Sequence, residues 1–370
     1  MNIVDKDIRI DRIRHIEKCK KDNSDIGIYI WGCALTAKTI KGYIEEISEI
    51  RIDAFILDDN YYNIDTYEGI PVIKASEWFE TVSLGSFVIC GFTNEKRAEK
   101  LIMSLPEGIE GVYMYYPYSM NMQNAFLTYE YYMCHKSEFE EIYSLMADDM
   151  SKKTMETFIN GCVSGDCSEL NKLRIDGQYF NELTKGWGSK YFVDCGAYIG
   201  DTIESVVDFY TDTITKIVSF EPDEDNCTLL NNKVREKGID TDKIELIKKG
   251  TWSRRDKLFF SSSDSSSSIT NDGDISIQVD SIDNVIDALG IEPDYIKLDV
   301  EGSELESLIG AEKCIKKNKP LIAVCVYHKP EDIFELTNKI REYDSERAYS
   351  YYMRYHGPDL RELVLYAIAQ

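Results

Sequence analysis

Two stretches about 100 residues apart constrain this chain more than anything else in it: residues 191–202, YFVDCGAYIGDT, and residues 294–302, DYIKLDVEG. Each reads as a short apolar strand that ends in a carboxylate and runs into a glycine turn. An apolar run without alternation is the pattern of a strand buried on both faces, as in a parallel sheet flanked by helices. Such a sheet releases its chain at the carboxyl edge, and ligands of open α/β folds bind in the crevice there. Asp194 and Asp299 are therefore expected to meet at one edge, brought to a single site by separate strands.

A third acid sharpens the expectation. Residues 218–222, VSFEP, put Glu221 at the end of the next strand, 27 residues after Asp194. Glycines let the backbone approach a ligand, the following helix offers unsatisfied N–H groups, and an acid at the next strand end accepts hydrogen bonds from both ribose hydroxyls. Strand, glycine turn, helix, strand, acid is an arrangement that binds adenosine. Tyr198 stands where the dinucleotide fingerprint has its second glycine, so these residues leave the carrier of the adenosine open.

At 370 residues the chain is long enough for two domains. Its 42 basic and 66 acidic residues leave a formal charge of −24, which repels nucleic-acid backbones and anionic lipid surfaces. Neither nucleic acid nor membrane is expected as a partner. No apolar run approaches the roughly 20 residues of a membrane helix, and the charged start MNIVDKDIRIDRIRH lacks a signal-like apolar region. Ten scattered cysteines, among them Cys90, Cys195 and Cys325 within apolar strands, fit reduced thiols in a cytoplasm. Cys162 and Cys167 form no complete zinc pattern, and no metal is expected.

Residues 1–118 alternate strand and helix: 27–31 (GIYIW), 54–57 (AFIL) and 86–90 (SFVIC) are strands, with 68–73 (EGIPVI) and 111–115 (GVYMY) as further extended segments. This is a small Rossmann-like α/β unit. Residues 119–186 read as a helical connector rich in aromatics, packed on the second unit. Residues 187–370 form the second α/β unit, with strands at 191–194, 216–220, 244–248, 295–298 and 321–326. Two closing strands, 348–355 and 363–369, are joined by so short a connection that they should pair antiparallel.

Several segments of the second unit together resemble the FkbM family of S-adenosylmethionine-dependent methyltransferases. They are 193–202 (VDCGAYIGDT), 220–223 (FEPD), 249–252 (KGTW), 279–283 (VDSID), 296–306 (IKLDVEGSELE) and 326–330 (VYHKP), in the family's order, with 178–180 (QYF) just before them. The resemblance implies a class I methyltransferase-like Rossmann sheet, parallel with one antiparallel strand near the carboxyl terminus. It implies that Gly196, Gly200 and Thr202 hold the methionine end of S-adenosylmethionine, that Asp194 fixes the turn, and that Glu221 binds the ribose. Thr251 or Trp252 would border the adenine. Methyl transfer to a hydroxyl calls for positioning and for a base. His328 or Asp299 is expected in that role, with Glu301 orienting one of them. An acid with a histidine could instead ligate a divalent cation, but the spacing does not demand one. The implied acceptor is a small molecule, sugar or glycan precursor.

Three features lie outside this scheme. The serine run 261–268 reads as a hairpin tip, or as a flap over a polyhydroxyl substrate. Tyr355 and His356 at a strand end could line the acceptor pocket. In the first unit, residues 31–37 (WGCALTA) and Asp58 look like a degraded dinucleotide fingerprint in which only Gly32 remains. That unit resembles the small domain that precedes some sugar-modifying enzymes. An NAD-dependent or nucleotide-sugar-binding protein is therefore the competing reading, and scaffolding of a homodimer a further role for this unit.

Overall fold

The computed structural model describes the chain except residues 115–126, 188, 212, 261–268, 271–274 and 358–359. The serine run lies outside the described residues, as does the boundary expected at 118–119.

Six strands form the first sheet: β1 (Ile28–Trp31), β2 (Ala54–Leu57), β3 (Thr66–Tyr67), β4 (Ile70–Lys74), β5 (Phe87–Cys90) and β6 (Glu110–Val112). Their order is β3-β4-β2-β1-β5-β6, all parallel except the small β3–β4 hairpin. Ile28, Ile30, Phe55, Val88 and Ile89 are wholly buried, as an apolar strand enclosed on both faces must be. Ahead of β1 the helix Ile8–Asp22 is capped by Asp7, whose carboxylate also holds Arg9 at 2.8 Å. Arg9 in turn donates to the carbonyls of Cys162 and Val163 and so ties this helix to the connector.

Residues 129–171 are helical, in four segments: Tyr129–Cys134, Lys136–Leu145, Asp149–Ser164 and Ser168–Asn171. The longest of them begins at Asp148, which accepts from the Ser151 amide at 2.7 Å. Residues 172–187 form turns, not the continued helix the sequence suggests.

Beyond the connector run β7 (Tyr191–Cys195), β8 (Lys216–Phe220), β9 (Ile244–Ile247), β10 (Gly250–Thr251), β11 (Asp256–Phe260), β12 (Ile269–Thr270), β13 (Ile275–Asp280), β14 (Tyr295–Leu298), β15 (Leu321–Cys325), β16 (Tyr349–Tyr355) and β17 (Leu363–Ala369). Seven of these make the main sheet, in the order β16-β17-β15-β14-β7-β8-β9. Only β17 runs against its neighbours, as expected. β10 to β13 make a separate small sheet, in which β11 and β13 pair antiparallel, as a hairpin tip at 261–268 requires; β10 and β12 are the parts the sequence does not announce. The small sheet is anchored at Asp280, which accepts from Lys249 and Arg255 at 2.8 Å each.

One face of the main sheet is covered by the connector and by the helices Ile282–Leu289, Glu312–Asn318 and Asp332–Tyr343, over a core that includes Phe139, Phe158, Val193, Leu298 and Tyr355. The other face packs Phe192, Ile217, Leu230 and Tyr295 under the helices Asp201–Phe209 and Glu224–Glu236. The connector is pinned to the sheet by polar contacts as well. Ser151 Oγ accepts from the Met353 amide at 3.0 Å, and Arg354 reaches Asp148 at 2.6 Å.

That last pair has a measurable consequence. Burial works to raise the Asp148 carboxyl, but hydrogen bonds from Arg354 and Ser151 bring it down to about 2. A carboxyl whose folded pKa is depressed contributes stability above its unfolded value near 4, and that stability is lost as pH falls through the folded value. Acid unfolding followed by circular dichroism should therefore show wild-type stability falling between pH 4 and pH 2 more steeply than that of D148N. Equal slopes would remove the pair from the stability of the connector.

Candidate active site

The order of the main sheet turns around at β7. From it the chain proceeds outward through β8 and β9 on one side, and through β14 and β15 on the other. This reversal leaves a crevice at the carboxyl ends of β7 and β14, the place where α/β folds of this kind bind ligands. Register puts Asp194 beside Lys297 and Cys195 beside Leu298, so Gly196 and Asp299 leave the sheet side by side. The Asp299 amide donates to the Cys195 carbonyl at 3.1 Å. The approach is so close that a Cβ on Gly196 would stand 1.9 Å from the Asp299 carbonyl oxygen, on a backbone whose φ is +82°. Only glycine fits both demands.

From Gly196 the chain makes a tight turn, closed by the Gly200 amide on the Ala197 carbonyl at 2.8 Å, and enters the helix Asp201–Phe209. Thr202 is buried in its first turn. Glu221 leaves β8 beside this turn and accepts the Tyr198 amide at 2.8 Å through Oε2; its Oε1 takes the Asp223 amide at 3.0 Å. The structure thus brings Glu221 to the glycine turn, the relation an adenosine site requires. Tyr198 and Glu301, one in each loop of the crevice, are non-glycine residues with φ of +46° and +54°. Strain of this sort, about 1–2 kcal/mol for each residue, is retained chiefly where surrounding structure holds it for a purpose.

Asp194 does fix the turn, but through a residue the sequence reading passed over. It is fully buried and paired with Lys297 Nζ at 3.1 Å, and the same ammonium donates to the Gly196 carbonyl at 2.6 Å. Burial pushes the Asp194 carboxyl up to about 6, and Lys297 works against the rise. Burial acts to lower the Lys297 pKa, yet Asp194 and Asp299 raise it above the ordinary value, so the pair is ionised at neutral pH. A lysine inside the apolar run 295–298 is the signal that could have been noticed: a buried ammonium needs a buried anion.

Asp299 is held on one side only. Tyr179, buried in the turn region before β7, donates its hydroxyl to Oδ2 at 2.9 Å, whereas Oδ1 is buried without a hydrogen-bond partner. His328, which follows β15 and is fully buried, brings Nε2 within 3.7 Å of Asp299 Oδ1 and 3.4 Å of Glu301 Oε2. The three residues expected to react are therefore together. The acid closest to the imidazole is a fourth one: Glu304 Oε1 lies 3.0 Å from His328 Nδ1 and is itself fixed by the Val300 amide at 2.9 Å. Glu304, not Glu301, is placed to orient the ring. Burial works to lower the His328 pKa, but Glu304, Asp299 and Glu301 push it up to about 10. The acids around the ring favour its protonated form, which works against His328 as the base and for Asp299 in that role.

Thr251 is buried and its hydroxyl is 2.5 Å from Ser307 Oγ, so that hydroxyl is engaged inside the protein. Trp252 is half-buried at the start of the turn that follows. His356 is buried and both its ring nitrogens are engaged within the protein. Its ring spans the Ile175 carbonyl at 3.0 Å and the Tyr366 hydroxyl at 2.8 Å, and burial pushes it down to about 4, the state of a structural, neutral histidine. In the first sheet, Gly32 again turns beside a neighbouring glycine, with a Cβ position 3.1 Å from the Gly91 carbonyl oxygen. Asp58, the acid of the degraded fingerprint, is engaged by Arg97 at 3.2 Å.

Comparison with known proteins agrees with this geometry. Residues 194–351 match the model of the methyltransferase FkbM domain. The chain is similar to the crystal structure of a methyltransferase FkbM from Methylobacillus flagellatus KT, with a TM-score of 0.67 and 19% identity, over 96% of this chain and 98% of that one. That likeness extends the shared fold to the first sheet and the connector. A methyltransferase from Geobacter sulfurreducens aligns with a TM-score of 0.32 at 16% identity, covering 60% of this chain and 90% of that one. The SAH-bound methyltransferase PaMTH1 from Podospora anserina gives 0.31 at 11%, covering 65% and 94%. None of the curated proteins matches the sequence. The glycine turn, Glu221 and Asp299 all lie inside the segment that matches the methyltransferase FkbM domain.

Proposed function

We propose that the protein transfers the methyl group of S-adenosylmethionine to an oxygen of a small molecule, sugar or glycan precursor. The observation that carries this reading is the convergence of Gly196, Glu221 and Asp299 at the reversal point of the main sheet. In it, the glycine turn and the first turn of the helix Asp201–Phe209 receive the methionine end, and Glu221 accepts the ribose hydroxyls. The acids around His328 then stand where a sulfonium cation and the methyl acceptor would meet. Asp299, with one carboxylate oxygen held by Tyr179 and the other without a partner, takes the proton of the acceptor hydroxyl. Bound S-adenosylmethionine would supply an electrophilic methyl group there, and the crevice would serve by positioning the acceptor oxygen against it, which supplies much of the rate.

No helix among the described residues is long and apolar enough to cross a membrane, and none of the ten cysteines is in a disulfide. The charge of −24 disfavours nucleic-acid backbones and anionic lipid surfaces as partners, and a cytoplasmic setting is part of this reading.

Calorimetry with S-adenosylmethionine, its demethylated product and NAD tests the reading. Binding of the first two but not the third is expected. Replacing Glu221 by Ala removes hydrogen bonds to a charged acceptor, about 1.5–3 kcal/mol, so cofactor affinity should drop roughly 10- to 100-fold. Saturable binding of NAD alone would favour the competing oxidoreductase.

A further inference from the structure

Acidic side chains crowd around His328: Glu304, fully buried, lies 3.0 Å from Nδ1, while the part-exposed Asp299 and the largely exposed Glu301 approach Nε2 at 3.7 and 3.4 Å. Of the nearby cations, Lys297 is committed to Asp194, and Lys329 donates to the Gly302 carbonyl.

Hydrogen bonding is incomplete in the same place. Both ring nitrogens of His328, Asp299 Oδ1 and Glu304 Oε2 are buried with no directional hydrogen bond, although His328 Nδ1 sits at ion-pair distance from Glu304. Buried polar atoms are ordinarily satisfied, and each orphan costs about 1–3 kcal/mol. Four of them belong to three neighbouring side chains drawn from two strand ends and one helix. One ligand atom each from Asp299, Glu304 and His328 can be chosen so that all three fall within 4.8 Å of one another. Ligands bound at about 2.1 Å to one ion stand roughly 3–4 Å apart, so a contraction of about an ångström would close the set.

We propose that Asp299, Glu304 and His328 bind a divalent transition-metal cation, with Glu301 supplying a further oxygen. The mixture of one imidazole nitrogen with carboxylate oxygens and no thiolate suits Mn²⁺ or Zn²⁺ rather than Ca²⁺. The cation engages an imidazole nitrogen and the orphaned carboxylate oxygens at the same time.

The test uses the full chain, stripped with a chelator, and titrated with Mn²⁺ in about 0.15 M salt while the electron paramagnetic resonance signal of the free ion is recorded. No cofactor is present, so failure here leaves the methyltransferase reading untouched. One ion per chain is expected, with affinity reduced at least 10-fold in H328Q and in D299N. Circular dichroism checks that each variant is folded. Should H328Q not fold, D299N decides alone, because its part-exposed side chain is the least demanding of the three. Weak binding at many sites that salt abolishes would be the work of an acidic surface and would overturn the proposal. So would tight binding that D299N leaves unchanged.

Discussion

Changing Gly196 to Ala should abolish measurable cofactor binding and lower folding stability by about 2–5 kcal/mol. The stability figure combines about 1–2 kcal/mol for a side chain at positive φ with about 1–3 kcal/mol for overpacking. Overpacking is severe here because the new Cβ would meet not a flexible side chain but the Asp299 carbonyl oxygen, 1.9 Å away. Relief requires β7 and β14 to separate at the point where the crevice opens, which moves Asp299 and the glycine turn together. Gly186 is the control: nothing lies within 4 Å of its Cβ position, and its backbone is not in the left-handed region. Urea denaturation and calorimetry on the two variants decide the matter. A G196A protein that binds S-adenosylmethionine like wild type would show that the close approach of the two strand ends is dispensable.

Removing Lys297 should be comparably damaging, for an electrostatic reason. Lys297 is 2% exposed and Asp194 is fully buried, so K297A leaves an uncompensated carboxylate inside the sheet. Breaking a buried pair from one side costs about 3–5 kcal/mol, whereas replacing both partners by apolar residues is often neutral. The double change D194L with K297M should therefore regain most of the stability lost in K297A. Cofactor binding should not return with it, because the Gly196 carbonyl has lost its ammonium donor and the turn its anchor. Thermal melting of the three proteins measures the first effect and calorimetry the second. If the double variant were no more stable than K297A, the pair would not be the source of the loss.

Much of the architecture was legible because it depends on local pattern. The apolar runs around Val193, Val218, Ile296 and Val324 could only be enclosed strands, and the turns after Asp194 and Glu221 had to open toward a ligand edge. The antiparallel pairing of the last two strands followed from their short connection. Where pattern was weak, so was the reading. The small sheet formed by β10 to β13 is built from pieces as short as two residues, too brief for any periodicity to declare itself. The hydrogen bond between Thr251 and Ser307, 56 residues apart, is likewise beyond any local pattern.

Taken alone, the amino-acid order determined which residues end strands, where glycine must stand, and that Asp194, Glu221, Asp299 and His328 leave the sheet by the same edge. Only the tertiary structure decided their partnerships: Lys297 with Asp194, Tyr179 with Asp299, and Glu304 instead of Glu301 beside the Nδ1 of His328. The physical reason is distance along the chain. Which side chain neutralises or orients another across some 25 to 120 residues depends on strand order, register and the path of each turn, and a buried charge takes whatever partner that packing delivers.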